Sequence, residues 1–485
     1  GRASVLEGFE LRNGTGNCTL FFCYGGGGFC NETSPTIRNC IIRDNEAAFD
    51  GGGLYARRGS PLIEDCVFEG NSASWYRGGA MYVIDSPAIV IRRTEFRDNY
   101  GDDGGGGILA KETDLVLEDC SFIGNVTTGP GGGVSVESGT AIIRRCVFDS
   151  NVCGGRGGGF AFSGTTLELD TAEFAFNDAG GDGGGLDIRC TAASVEFADF
   201  IDNRAYGKGG GIHADQGDSL RIVGCRFERN TADVSDGGGL RTGGIPTEIR
   251  HCIFTDNAAE VGGGVYADQG TALKIVGSRF TRNIARNGVG GGLEADRLPV
   301  DIVNTGFFQN RCTDAGGGAR IRGGDVVVAN CVFAGNFAYW RGGALDVHEV
   351  DHRVVNCTIV DNESYETAGG ICVNPAGLVA NSIVRGNHAA RWPDIANRNE
   401  TWISDLRWAN VSVWEGEVPG RFDGPAGIVD RRGPDRVGGT GDEDYRATGC
   451  LLGIDAGDAL LVPADRADVD LDGDLTEAIP LDYFG

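Results

Sequence analysis

The feature that most constrains this chain is a periodic asparagine. Asn45, Asn71, Asn99, Asn125, Asn151, Asn177, Asn203, Asn230, Asn257, Asn283, Asn310, Asn336, Asn362 and Asn387 follow one another at steps of 25 to 28 residues. A fixed period of this length marks stacked repeats, each one supersecondary unit that buries its apolar edge only against its neighbours. Every asparagine sits in the same frame. An apolar residue lies three positions before it (Ile42, Phe68, Phe96, Phe122 and onward to Val384), and a glycine run such as Gly131-Gly132-Gly133 follows by about six.

Between glycine run and next asparagine lie short stretches of period-2 alternation, for example 141–148 and 273–280. Such alternation bounded by Gly, Asp and Asn reads as half-buried strand, and no window carries amphipathic helix periodicity. A repeat of about 26 residues with three short strands is one coil of a parallel β-helix. Stacked coils set like residues about 4.8 Å apart, so the Phe and Ile positions form an interior ladder. The asparagine is expected to tolerate left-handed backbone and to bond the next coil through its amide. The fold class is all-β, a parallel β-helix solenoid of about 14 coils over 1–389, roughly 65 Å long at that strand spacing. The period stops after Asn387, and 390–485 reads as a C-terminal capping region.

The chain has 485 residues, 83 of them glycine, and a formal net charge of −27. An acidic surface repels nucleic acid and anionic lipid; its simpler role is to keep a long β-structure soluble and its edges unpaired. No stretch is long and apolar enough to cross a membrane as a helix. No signal peptide is present, and the opening segment already reads as a coil, so a signal and a cap are expected to lie N-terminal to it.

Eight of the 16 cysteines share one repeat position, five before the asparagine. In-register strands hold them at a Cα spacing compatible with disulfides, which predicts Cys40–Cys66, Cys120–Cys146, Cys225–Cys252 and Cys331–Cys357 and an oxidising, extracellular compartment. The competing reading is a ladder of small inward residues, which Ser278 supports by occupying the slot in a near-copy of the segment that carries Cys225. Cys18, Cys23, Cys30, Cys153, Cys190, Cys312, Cys372 and Cys450 are left unpaired. Sequons at Asn13, Asn17, Asn31, Asn356, Asn399 and Asn410 are candidate glycosylation sites; those at Asn125 and Asn362 fall on the ladder, where a buried amide carries no sugar.

Trp392, Trp402, Trp408 and Trp414 crowd the start of the C-terminal region, as a cap over the last coil or a carbohydrate-stacking surface. Near the end, Asp468, Asp470, Asp472, Asp474 and Glu477 copy the first half of a calcium loop; Ile479 occupies the twelfth place, so the alternatives are a shortened Ca²⁺ site and a solvated acidic turn.

The Phe-x-x-Asn frame with Gly-Gly-Ala at 78–80 and 342–344 resembles the repeats of polymorphic outer-membrane proteins. The segments 381–387 and 444–474 with the terminal 480–485 resemble the closing region of the choice-of-anchor Q family. That resemblance implies a right-handed β-helix, secretion and surface display, and no established reaction. Three functions stand. The first is a secreted structural or surface protein (stalk, adhesin or filament subunit), with copies of itself joined head-to-tail or laterally, or surface glycans and proteins, as partners. The second is a polysaccharide lyase or hydrolase, with Asp215, Asp268, His213 and Lys208 as candidates; repetition of the Ala-Asp-Gln-Gly segment argues for turn chemistry instead, since catalysis needs a unique constellation. The third is a glycan-binding rod using Trp75, Tyr76, Tyr339 and Trp340, whose simpler role is apolar cover for turns. The uniform repeat favours the first.

Overall fold

Alternation along each strand dictates the architecture. In Thr140–Asp149 the buried residues are Ala141 and Ile143, then, past the corner at Arg145, Cys146 and Phe148, so burial alternates on each side of the corner. This strand pairs in parallel with Phe160–Ala175 of the next coil, placing Ile143 on Leu169 and Phe148 on Phe174. The computed structural model describes residues 4–397, apart from 20–21, 349–350 and 375–376, and the backbone of Asp405–Arg407, Asn410–Val411, Ile428–Asp430 and Asp444–Ala447. The described residues form an all-β parallel solenoid without helices. It divides into two compact units, Gly1–Arg241 and Thr242–Gly485.

Each coil has three strands, as expected, and a fourth of two residues just after the asparagine, such as Val152–Cys153 and Arg311–Cys312. The phenylalanine ladder runs from Phe68 to Phe227 in the first unit, with neighbouring rings stacked 4.6–5.0 Å apart. Phe254, Phe280, Phe307 and Phe333 repeat it in the second at 4.6–4.8 Å. All these rings are sealed from solvent.

The asparagines bond as expected, but with different backbone. Asn151 Nδ2 donates to Asn177 Oδ1 of the next coil (3.0 Å) and to the Phe122 carbonyl of the previous one (2.9 Å). Its Oδ1 accepts from the main-chain N–H and the Nδ2 of Asn125. Every polar hydrogen and the acceptor oxygen are thus used, as burial requires. The left-handed residue is the one before the asparagine: Asp44, Asp98, Ser150 and Asp202 have φ of 52°, 55°, 57° and 52°. The turn thus bends ahead of the amide, leaving the asparagine free to follow the strand direction of its neighbours. A second left-handed corner precedes the cysteine position (Asp65, Arg93, Asp119), and the first glycine of each run makes a third. Within the run, a Cβ on Gly132 would lie 2.3 Å from the Gly158 carbonyl, so no side chain fits between coils there.

In the second unit the ladder runs from Asn257 to Asn387, whose Nδ2 donates to Asp394 Oδ1 at 2.9 Å. Parallel pairing continues past residue 389. Ile371–Val373 pairs with Ile395–Asn397, Leu378–Ala380 with Asp405–Arg407, and Ile383–Val384 with Asn410–Val411. Trp402, Trp408 and Trp414 lie outside the described residues.

None of the four expected disulfides is bonded in this structure. Cys40, Cys66, Cys120, Cys146, Cys225, Cys252, Cys331 and Cys357 are buried thiols that join no disulfide. Within the pairs, coils are in register: Val67 N–H donates to the Cys40 carbonyl and Thr358 N–H to that of Cys331. Parallel strands, however, keep Cβ vectors parallel, so Cβ atoms stay about 4.8 Å apart, beyond the roughly 3.5–4.5 Å a disulfide needs. Cys225 belongs to the first unit and Cys252 to the second. Each thiol instead donates to the carbonyl two residues back, at 3.1 Å for Cys66 to Glu64 and for Cys331 to Ala329. Thr94, Ser278, Thr305 and Ser382 make the same bond from the same position at 2.8–3.0 Å. The slot therefore takes a small side chain, most often a short donor; Ala172 and Ala198 fill it without one. In the hairpin Asn17–Thr19 and Phe22–Tyr24, the backbone of Cys18 lies opposite that of Cys23.

Candidate functional site

The four-residue strand after each glycine run carries a column of unusual chemistry. Its second residue should face outward by alternation, yet it is buried in most coils, and the first glycine of its own run closes over it: a Cβ on Gly342 would lie 2.9 Å from the Asp346 Cβ. In the first unit the column reads Tyr55, Tyr82, Leu109, Ser135, Ala161, Asp187, His213 in register. In the second it reads Tyr266, Glu294, Arg320, Asp346, Cys372, Ala396. Two charge clusters result, neither anticipated from the sequence.

In the first unit, Asp187 is fully buried and its Oδ1 accepts from His213 Nδ1–H at 2.7 Å. Arg156 and Arg189 direct their Nε atoms at Oδ2 from 3.2 and 3.3 Å. Arg189 also lies 3.5 Å from Asp215 Oδ1. A carboxylate against an imidazole is the orienting half of an acid–base pair, but a reacting group is missing: the column neighbour of Asp187 on its other side is Ala161. Of the expected candidates, the structure brings Asp215 and His213 near this cluster. Lys208 touches it through its main-chain N–H, which donates to Asp182 Oδ1 at 2.9 Å. Asp268 lies in the second unit, in register with Asp296.

In the second unit, Arg320 Nη1 donates to Glu294 Oε1 at 2.6 Å and Nε faces Asp346 Oδ2 at 3.6 Å. Arg341 Nε reaches Asp346 Oδ1 at 3.2 Å. His348 Nε2 sits between Arg341 Nη2 (2.8 Å) and Asp346 Oδ2 (3.0 Å), accepting from the first or donating to the second. Burial pushes the Glu294 carboxyl up to about 8, against the pull of Arg320. Burial also raises Asp346, but the His348 hydrogen bond and the charges of Arg341 and Arg320 outweigh it and hold it below the usual range. Opposite environments for two carboxyls resemble an acid–base division. Both groups are nonetheless sealed, Glu294 at 2% and Asp346 at 0% exposure, so substrate has no route to them.

The open places differ. A groove of about 370 Å³ is lined by Arg144, Glu168, Leu169, Asp170, Ser194 and Glu196. Its carboxylates are solvated, and Ser194 donates to Glu196 Oε1 at 3.0 Å. The expected binding aromatics stand clear of the surface: Trp75 is 66% exposed, Tyr76 44%, Tyr339 46% and Trp340 53%. Beside Trp75 and Tyr76, burial pushes the Asp50 carboxyl up to about 6, opposed by its bond from the Arg77 N–H.

Among the described residues no group of three or more His, Cys, Asp or Glu is placed to hold a metal. The expected calcium ligands Asp468, Asp470, Asp472, Asp474 and Glu477 lie outside the described residues, as do Asn399 and the side chains of Asn17 and Asn410. Asn13 and Asn31 are exposed, whereas Asn356 Nδ2 donates to Asn330 Oδ1 at 3.1 Å.

A sequence model described as a right-handed β-helix region matches residues 26–168 and 158–298, more than half of the chain. The chain belongs to the right-handed β-helix family. No curated protein matches this β-helix. No solved structure matches it. No helix among its described residues is long and apolar enough to cross a membrane.

Proposed function

We propose that this β-helix is a secreted or surface-displayed scaffold, an adhesin or a filament subunit, that carries out no chemistry of its own. The observation that carries the reading is the sealing of its charged columns. The groups that resemble an active site, His213 with Asp187 and His348 with Asp346, are at most 2% exposed. Arginines face them from two sides, Arg189 and Arg320 from the strands and Arg156 and Arg341 from loops, which makes them internal fasteners between strand and loop. A buried ion pair tied on several sides specifies one arrangement of the chain and is costly to break by halves. The groove beside Glu168 has solvated carboxylates, without the desolvated acid that glycosidic cleavage uses.

Surface display rests on the likeness of the closing region to the choice-of-anchor Q family, on the net charge of −27 and on exposed sequons at Asn13 and Asn31. Calcium at Asp468 to Glu477 belongs to the same proposal. Electron microscopy of the purified protein in calcium and in EDTA, with product analysis on polysaccharides, tests it. Single particles in both conditions would remove the filament variant and leave the adhesin; turnover would remove the scaffold reading.

A further inference from the structure

The segment Trp75-Tyr76-Arg77-Gly78-Gly79-Ala80 recurs as Tyr339-Trp340-Arg341-Gly342-Gly343-Ala344, one copy in each unit. The two copies share a plan, an exposed aromatic pair stacked on a ring of an adjacent coil and followed by a tied arginine, but use different partners. Tyr76 stacks on Phe49 of the neighbouring coil with centroids 5.0 Å apart, and Trp75 meets Phe49 edge-on at 6.1 Å. Tyr339 stacks on Tyr365 of its neighbouring coil, again at 5.0 Å. In both copies the arginine is tied to a carboxylate, an exposed one in the first copy and a buried one in the second. Arg77 Nε donates to Asp103 Oδ2 at 3.1 Å, and Arg341 Nε to Asp346 Oδ1 at 3.2 Å. The glycine after each arginine is left-handed, with φ of 68° and 61°. Each loop is thus pinned from beneath while its rings stay in solvent.

We infer that these are two preorganised platforms for a neutral polysaccharide. Exposed rings held by a rigid loop lose little freedom on binding. They offer apolar surface to the C–H faces of a sugar. Exposed carboxylates beside them, Asp103 in one copy and Glu366 in the other, accept hydrogen bonds from sugar hydroxyls. Charge selects the occupant. The arginines are paired with neighbouring carboxylates and the chain carries −27, so polyanions and anionic lipid surfaces are repelled. The inference rests on the scaffold reading, since the polymer is held and not cut.

The test is titration of the intact protein with cellohexaose, chitohexaose and laminarin, followed by tryptophan fluorescence and by calorimetry. Polygalacturonate and phosphatidylserine vesicles serve as anionic comparisons. Saturable binding of at least one neutral glycan is expected. Trp75→Ala and Trp340→Ala should each weaken it about tenfold, the loss of one aromatic anchor, and Trp75→Phe should keep most of it. Melting temperatures of all variants should match the parent, because the rings are exposed. Absence of binding to all three neutral glycans, binding untouched by both alanine variants, or binding confined to the anionic probes would overturn the inference. Glycan binding accompanied by new reducing ends would sustain the platforms and defeat the scaffold reading.

Discussion

At the scale of single residues, this protein is organised by side chains that complete a backbone circuit between coils. The ladder asparagine is irreplaceable in kind. Aspartate lacks the two donors, glutamine is a methylene too long, and alanine strands the groups it served. Asn151→Ala should deprive the Phe122 carbonyl of its amide donor and leave the Asn125 N–H and one Nδ2 hydrogen of Asn125 without their acceptor inside the core; the other Nδ2 hydrogen keeps the Phe96 carbonyl. At about 1–3 kcal/mol for each buried orphan, the loss should exceed about 3 kcal/mol in urea unfolding. A loss below about 1 kcal/mol would mean that the ladder reports the fold without holding it. The cysteine slot works the same way, through a donor to a nearby carbonyl. Burial pushes the Cys66 thiol up to about 11 and Cys312 up to about 12, so thiolate is scarce at neutral pH and reaction is slow. All 13 buried thiols should resist a thiol reagent in the native protein. All should react after unfolding without reductant. Cross-linked Cys40–Cys66 or Cys331–Cys357 peptides in a non-reducing digest would reinstate the bridges expected from the sequence.

At the scale of elements, the strand after the glycine run shows what sequence periodicity reveals and what it conceals. The Phe ladder, the strands and the glycine corners are legible because each is a one-dimensional pattern with one physical cause. The charge clusters are not. Asp187, His213, Glu294 and Asp346 each occupy an outward place in an alternating strand, where a polar residue looks ordinary. Their burial depends on a covering loop whose path no local pattern encodes. Aligning coils in register is the signal that could have found them, since it sets Asp187 beside His213 and Arg320 between Glu294 and Asp346.

Glu294 turns the second cluster into a pH-dependent fastener. Its folded value of about 8 lies above the ordinary 4.5, so the folded state binds the proton more tightly. The resulting stability is fully present below pH 4.5 and is lost as pH rises through about 8. Arg320, Asp296 and Asp346 face the same carboxyl, and Asp346, held low, contributes with the opposite sign. Subtraction of a variant therefore isolates the group. Stability should fall between pH 4.5 and 8 by at most about 1.4 kcal/mol per pH unit, and Glu294→Gln should flatten that part of the profile. Parallel profiles for parent and variant would show that Glu294 is ionised in the folded protein throughout.

At the scale of the whole molecule, the repeat announced a β-helix and the match to that family agrees. Regularity of the repeat does not by itself exclude an active site. The column does break the repeat, with two constellations that look catalytic in composition. The argument against catalysis rests instead on access: the imidazoles and their carboxylates are closed beneath loops, while the exposed features are aromatic rings and solvated acids. The most direct measurement is product release. The intact protein, incubated over days with a panel of neutral and acidic polysaccharides, should produce neither new reducing ends nor unsaturated uronate absorbance above a boiled control. Sustained release that is abolished by His213→Ala or Asp346→Asn in a protein that still folds would show that a sealed column opens to substrate, and would contradict the account at its centre.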